Sequence, residues 1–415
     1  MPHGPGIERQ GAAQAWSGKA PPRRGAARRR PGHGAAPRRV ERYGAGTMEL
    51  EDFRSAARAW LTENRRYAPR DYGAIMPQEL RDEGVAWQKR LRAAGWAGIH
   101  WPVEFGGRGL TSQHQGIWIE ECAQAEVPAF INMVGFVLAG QGIQRFGTPE
   151  QKAEHLEPIL TAERVWGQLF SEPEAGSDLA SLRTAAVRDG EEYVVNGQKV
   201  WCSAGRICDW GILLARTDPR APKHKGISFF LLDMHSEGVE TRPLRQMTGE
   251  AEFDEVFLTD VRVPARNLLG PENEGWGVTM ATLTNERGSI GAAQIAMQRR
   301  LDAMIAMGGD LDAIARDQLT SLLARGQALL ATGRRQGPDA SVASSLGKLG
   351  TTELVFDHAL LRTNLAGAAG MLWGAEARAL TGAPGGRIAG GTSQIQRNII
   401  GERILGLPKE PGAAS

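Results

Sequence analysis

From Met48 onward, polar and apolar positions repeat with a helical period. Phe53, Ala57, Trp60 and Leu61 share one face, and Leu80, Gly84, Trp87 and Leu91 share another, so two amphipathic helices are expected. Thr148-Pro149-Glu150-Gln151 has the form of a capping box with proline at the first helical position, and starts a further helix. The apolar run VPAFINMVGFVL, residues 127–138, is too short to cross a membrane and contains Asn132; it reads as a buried helix. Residues 48–163 are therefore expected to form a helical domain. The period then drops to two. Tyr193-Val194-Val195 and Val200-Trp201 lie beside Asp189-Gly190 and Asn196-Gly197, both turn signals, and further strands are expected at 210–215, 227–233 and 255–263. A β domain over 164–272 follows. Helical periodicity returns through 275–306 and continues to about Leu405, with turns expected at Gly308-Gly309 and 333–338. Residues 273–407 read as a C-terminal helical domain, and 408–415 as a tail.

The residues before Met48 share none of this patterning. Residues 1–47 hold ten Lys or Arg against two acidic residues, with almost no aliphatic side chains, and are expected to be a disordered basic tail. An Arg-rich, acid-poor leader could be a transit peptide or a nucleic-acid arm; the prolines and the missing apolar period weaken the first, and because a helical pattern opens at Met48 an incidental extension is expected. The other residues of the 415 carry 39 basic and 45 acidic side chains, a mildly acidic body that argues against a nucleic-acid surface. Three cysteines, none in CxxC spacing, suit a reducing compartment, so a cytoplasmic location is expected. Without an apolar stretch of about 18 residues, no membrane span is expected.

Several chemistries lack their motifs. There is no GxGxxG after a strand, no GxxxxGK[ST], no GxSxG elbow and no metal-ligand spacing among the eight histidines. Two stretches stand out instead. One is RVWGQLFSEPEAGSDLASLRT at 164–184, followed by EEYVVNGQKVWCSAG at 191–205. The other, Ile388-Ala389-Gly390-Gly391-Thr392-Ser393-Gln394-Ile395-Gln396-Arg397, lies about two hundred residues downstream. Taken alone, the first is a Gly/Pro turn, Trp201 a core tryptophan, and Thr392 the cap of a helix.

Together, in this order, the two stretches closely resemble the acyl-CoA dehydrogenase family. The resemblance spans nearly everything from 48 to 407 and implies an α+β fold: an N-terminal helical domain, a central β domain and a C-terminal helical bundle. It implies FAD, held by Phe170 and Ser171 beside the isoalloxazine, Ser177 near the diphosphate, Trp201 and Ser203 flanking the ring, and Thr392 and Gln394 from the C-terminal segment. Small and hydroxylated loop residues suit that task because the ring and the diphosphate both need close hydrogen-bond donors. The implied reaction is α,β-dehydrogenation of an acyl-CoA to a trans-2-enoyl-CoA, with electrons passed to an electron-transfer flavoprotein.

Removing an α proton requires a carboxylate. Many members place it just before Gly-Thr-Ser, where this chain has Gly390. The base placement is instead similar to that of isovaleryl-CoA and long-chain acyl-CoA dehydrogenases, which implies Glu286 as base and Arg287 as a substrate-binding residue, although a Glu-Arg pair on a helix also reads as a solvated face. The Gly390 amide is the implied donor to the thioester oxygen. The family's Arg-x-x-Phe-Gly stretch is not recognisable between 305 and 330, and its double-Gly element is reduced to residues 364–370. That divergence is similar to actinobacterial dehydrogenases of bulky substrates, some built from two different subunits. A homodimer or homotetramer is expected, with a hetero-oligomer as the variant. Two other readings stay open: a catalytically silent flavin-holding subunit, and an acyl-CoA oxidase or flavin monooxygenase on the same fold.

Overall fold

A computed structural model describes residues 48–70, 72, 75–286, 298, 299, 301–303, 305, 306, 311–333 and 340–409. The tail before residue 48, the expected turn at Gly308-Gly309 and residues 334–338 lie outside them. The fold is α+β: helices, then a sheet, then helices. The first layer holds α1 (Leu50–Asn64), α2 (Arg81–Ala93), α3 (Ser112–Ala125), α4 (Gly140–Phe146) and α5 (Pro149–Thr161). Phe53, Ala57 and Leu61 of α1 and Gly84, Trp87 and Leu91 of α2 are buried, as their spacing requires. Glu121 on α3, 2% exposed, accepts from Arg54 at 2.6 Å and Arg58 at 2.7 Å, which locks α1 to α3. Thr148 caps α5 through the Gln151 amide, and the Gln151 side chain answers the Thr148 amide.

The 127–138 segment is only partly helical. Its helix begins at Met133 and passes through a wide π turn, Gly135–Ala139, into α4. Asn132 is the reason. Its buried amide donates to the carbonyls of Arg164 (2.8 Å) and Ile159 (3.3 Å) and accepts from Trp166 N–H (3.0 Å), so the residue serves the start of the sheet rather than a helix.

The sheet contains β1 (Trp166–Leu169), β2 (Ala185–Asp189), β3 (Glu192–Ser203), β4 (Trp210–Arg216), β5 (Ile227–Asp233), β6 (Val239–Leu244) and β7 (Phe253–Pro264). Their order is β1-β4-β2-β3-β7-β6, with β5 on β4. Asp189-Gly190 turns β2 into β3 as expected. Asn196-Gly197 does not turn the chain. Both lie inside β3, opposite a bulge in β7, where Asn196 exchanges hydrogen bonds of 2.9 Å with Asp260. A neighbouring strand replaced the turn: the signal is local, and the long partner β7 outweighs it. Strands β1, β2 and β6, short and without a strong apolar signal, are not among the strands expected from the sequence.

α6 (Gly275–Glu286) packs on β5 and on the Gly135–Ala139 turn. The expected helix through 275–306 is described only to Glu286 and in fragments after 297. The last layer holds α7 (Ala313–Gly333), α8 (Ala340–Leu365), α9 (Ala375–Ile388) and α10 (Ser393–Ile399). It has its own small core, including Leu319, Leu322, Leu354 and Leu361, apart from the large core shared by the first helices and the sheet.

Candidate active site

Strands β1 and β2 occupy the same slot of the sheet. β1 pairs with β4 over Trp166–Leu169 and touches β3 at Ser203; β2 pairs with β3 over Glu192–Asn196 and touches β4 at Arg216. Between them the chain leaves the sheet at Leu169 and returns at Ala185. The middle of β3 therefore faces a loop on that side instead of a strand. Val200 N–H donates to Ser171 O at 2.9 Å, which binds the loop to β3 where a ladder would have run.

The loop closes on itself through reciprocal 3.1 Å backbone bonds between Glu172 and Ala175. Phe170 turns its ring into the core, edge-on to Phe229 at 5.8 Å, so any ligand meets its backbone. Pro173, Glu174, Gly176, Ser177 and Asp178 are exposed. Opposite Val256 and Asp254 of β7, Lys199 and Cys202 bracket one extra residue in β3. That bulge sets Trp201 in the left-handed region, φ +58°, with its indole 57% exposed and edge-on to Phe253 at 6.0 Å. A bulky side chain there is strained, and strain of this kind collects at functional sites. Ser203 ends the strand. The side-chain hydroxyls of Ser171, Ser177 and Ser203 have no hydrogen-bond partner among the described residues. Ser171 is held against β3 beside Trp201 by the Val200 bond, and Ser203 lies opposite Gln168 of β1.

The C-terminal group sits on the helical layer. Gly390 and Gly391 hold φ of +63° and +89°, and Thr392 caps α10 by accepting from Ile395 N–H at 3.2 Å. Gln396 is fully buried and donates to Gly390 O at 3.1 Å, while Gln394 is exposed. Ser393 donates to Glu353 of α8 at 2.8 Å, and Arg387 pairs with the same carboxylate at 2.7 Å. A side chain added at Gly390 would meet nothing within 4 Å. Glu286 is the last residue of α6; its side chain and Arg287 lie outside the described residues.

Burial raises all three cysteine thiols above their ordinary range. Cys202 is pushed up to about 12 and Cys208 higher still, first by desolvation. Sequence reading passed over Glu172 and Lys199, which hold the loop. A buried lysine carries no motif of its own, and only its position opposite the opening reveals it.

Residues 47–163 match the acyl-CoA dehydrogenase N-terminal domain, 167–261 the middle domain and 273–405 the C-terminal domain. The chain belongs to the acyl-CoA dehydrogenase family. It is 37% identical over 387 residues to acyl-CoA dehydrogenase IpdE1 of Mycobacterium tuberculosis, covering 88% of this chain and 99% of that one. Among solved structures, the Tcur3481-Tcur3483 steroid ACAD superposes with a TM-score of 0.75 at 28% identity, over 87% of this chain and 98% of that one. The ChsE4-ChsE5 complex from M. tuberculosis gives 0.72 at 29%, over 88% and 99%. As an acyl-CoA dehydrogenase by descent, the chain is an oxidoreductase. Among the described residues no helix is long and apolar enough to cross a membrane, and no cluster is suited to a metal ion.

Proposed function

We propose that this chain is an FAD-dependent dehydrogenase that desaturates an acyl-CoA thioester between its α and β carbons, giving a trans-2-enoyl-CoA, and delivers the electrons to an electron-transfer flavoprotein. One observation carries this reading: the break between β1 and β2, where the 170–178 loop is bound to β3 next to an exposed, left-handed Trp201 and the hydroxyls of Ser171, Ser177 and Ser203 are unpartnered among the described residues. That donor set fits a flat ring joined to a diphosphate. Ser171, Ser177, Trp201 and Ser203 would hold FAD from the sheet, with the Phe170 backbone beside them, and Thr392 and Gln394 from the helical layer. Bound there, FAD supplies the acceptor for a hydride from the β carbon.

The chain's own residues do the rest. Glu286 takes the α proton, which requires a carboxylate in a water-poor pocket. As charge develops on the thioester oxygen, the Gly390 amide donates to it. The left-handed Gly390 leaves open the space that its own side chain would fill. Arg287 binds substrate next to the base.

The acyl group we propose is bulky and ring-bearing, because the similar Tcur3481-Tcur3483 structure is a steroid ACAD. Both that structure and the ChsE4-ChsE5 complex have two components, so a second dehydrogenase subunit is the proposed partner, supplied by another copy or a paralogue. The exposed run Met371, Leu372 and Trp373 supports such a contact.

Anaerobic titration of the purified protein with straight-chain, branched and steroid-side-chain acyl-CoAs tests the reading. The visible flavin band should bleach most completely with the ring-bearing thioester. A protein that takes up no FAD, or one whose flavin no acyl-CoA bleaches, overturns it.

A further inference from the structure

Lys199 is fully buried, and its ammonium is committed to the loop across the opening. Nζ donates to Phe170 O at 3.1 Å and to Glu172 Oε1 at 2.8 Å. The Glu172 carboxylate, 8% exposed as a residue, also accepts from Arg183 N–H at 2.7 Å and Thr184 N–H at 2.9 Å. One ion pair therefore grips the departing end of the loop at Phe170 and its returning end at Arg183 and Thr184. It does so from the strand that bulges two residues later at Trp201. Between those ends Pro173, Glu174 and Gly176 to Asp178 are exposed, while Ala175, Ala180 and Leu182 are buried.

A buried ion pair is a poor source of stability, since apolar side chains of equal volume often serve as well or better. What it provides is direction. Charge-assisted bonds are short and geometrically demanding, and three backbone groups that lost their sheet ladder are satisfied by it alone or with help. Burial pulls the lysine below its usual range, opposed by the adjoining carboxylate. Glu172 is held below its own range because the Lys199 charge and three hydrogen bonds together outweigh burial.

We propose that the Lys199–Glu172 pair is the positioning element of the cofactor site: it holds the Phe170–Ser177 backbone in register with Trp201, and so sets flavin affinity and flavin environment rather than the fold. This rests on the function proposed above.

The test uses the full chain, stripped of flavin and titrated with FAD, with visible circular dichroism of the bound flavin and melting temperature as separate readouts. Lys199→Met should weaken FAD binding at least about tenfold and alter the flavin dichroism, because Phe170 O and Glu172 lose their donor. Lys199→Met with Glu172→Gln removes the orphaned charge; it should recover most of the melting temperature yet stay weak for FAD. Wild-type affinity and dichroism in a folded single or double variant overturn the proposal. If neither variant folds, the pair belongs to the fold and the proposal falls. A wild-type chain that takes up no FAD would instead overturn the function on which this rests.

Discussion

In the function proposed above, Glu286 and Gly390 divide the chemistry at the residue scale. Glu286→Gln keeps shape and removes the proton acceptor, so flavin reduction by acyl-CoA should slow by about 10²-fold or more while FAD content and thioester binding persist. Stopped-flow reduction under anaerobic conditions measures it. A variant that reduces its flavin at the wild-type rate would place the base elsewhere. In that background Gly390→Glu should return part of the rate, since the space beside Gly390 is open, at a cost of about 1–2 kcal/mol for a side chain in the left-handed region. His155 gives a pH signature of a different kind. It is buried between Trp166 and Trp210, and Arg164 donates to its Nδ1 at 3.0 Å, which requires the neutral ring. Burial, with Arg164 adding and Glu154 opposing, lowers it to about 4. Because the unfolded chain protonates near 6.5, the contribution is complete above about pH 6.5 and is lost as pH falls towards 4. Thermal melts across that window should decline, and His155→Gln should flatten the decline; an unchanged slope would exclude His155 as the source.

At the scale of elements, the functional geometry comes from a strand position filled twice. β1 and β2 both lie between β3 and β4. The residues left over between them become the loop, and β3 must bulge to present Trp201. Helix ends were plain in the sequence because a cap is a contact between residues three apart. Thr148→Ala should therefore cost about 1 kcal/mol. Urea denaturation would show it as a lower midpoint with unchanged slope, and a midpoint equal to wild type would mean the cap contributes nothing. The Asn196-Gly197 turn signal failed for the opposite reason. Its outcome depends on Asp260, far along the chain, whose hydrogen bonds to Asn196 exist only once β7 has docked.

For the whole molecule, the exposed apolar run after α8 is the feature that a single chain leaves unexplained. Met371 is 88% exposed, Leu372 69% and Trp373 61%, and Trp373 reaches the 246–250 turn of the β layer, within 3.7 Å of where a side chain on Gly249 would start. A patch that touches both layers is suited to a neighbouring subunit. Trp373→Glu should lower the oligomeric state seen by light scattering and, if a neighbour completes the flavin site, lower FAD content with it. An oligomer that persists with full flavin would remove this surface from the contact.

The chain order of helices, sheet and helices, the family and the loop at 170–178 were all readable from the sequence, because each rests on residues close together in the chain. The period of the apolar positions and the nine residues from Phe170 to Asp178 need no partner to be recognised. What only tertiary structure decided was which groups meet. That Lys199 reaches Phe170 and Glu172, that Asn132 serves the sheet instead of a helix, and that Trp201 stands left-handed in a bulge all depend on strands brought together from distant segments. Pairing register and burial are properties of two segments at once, so neither segment alone can encode them.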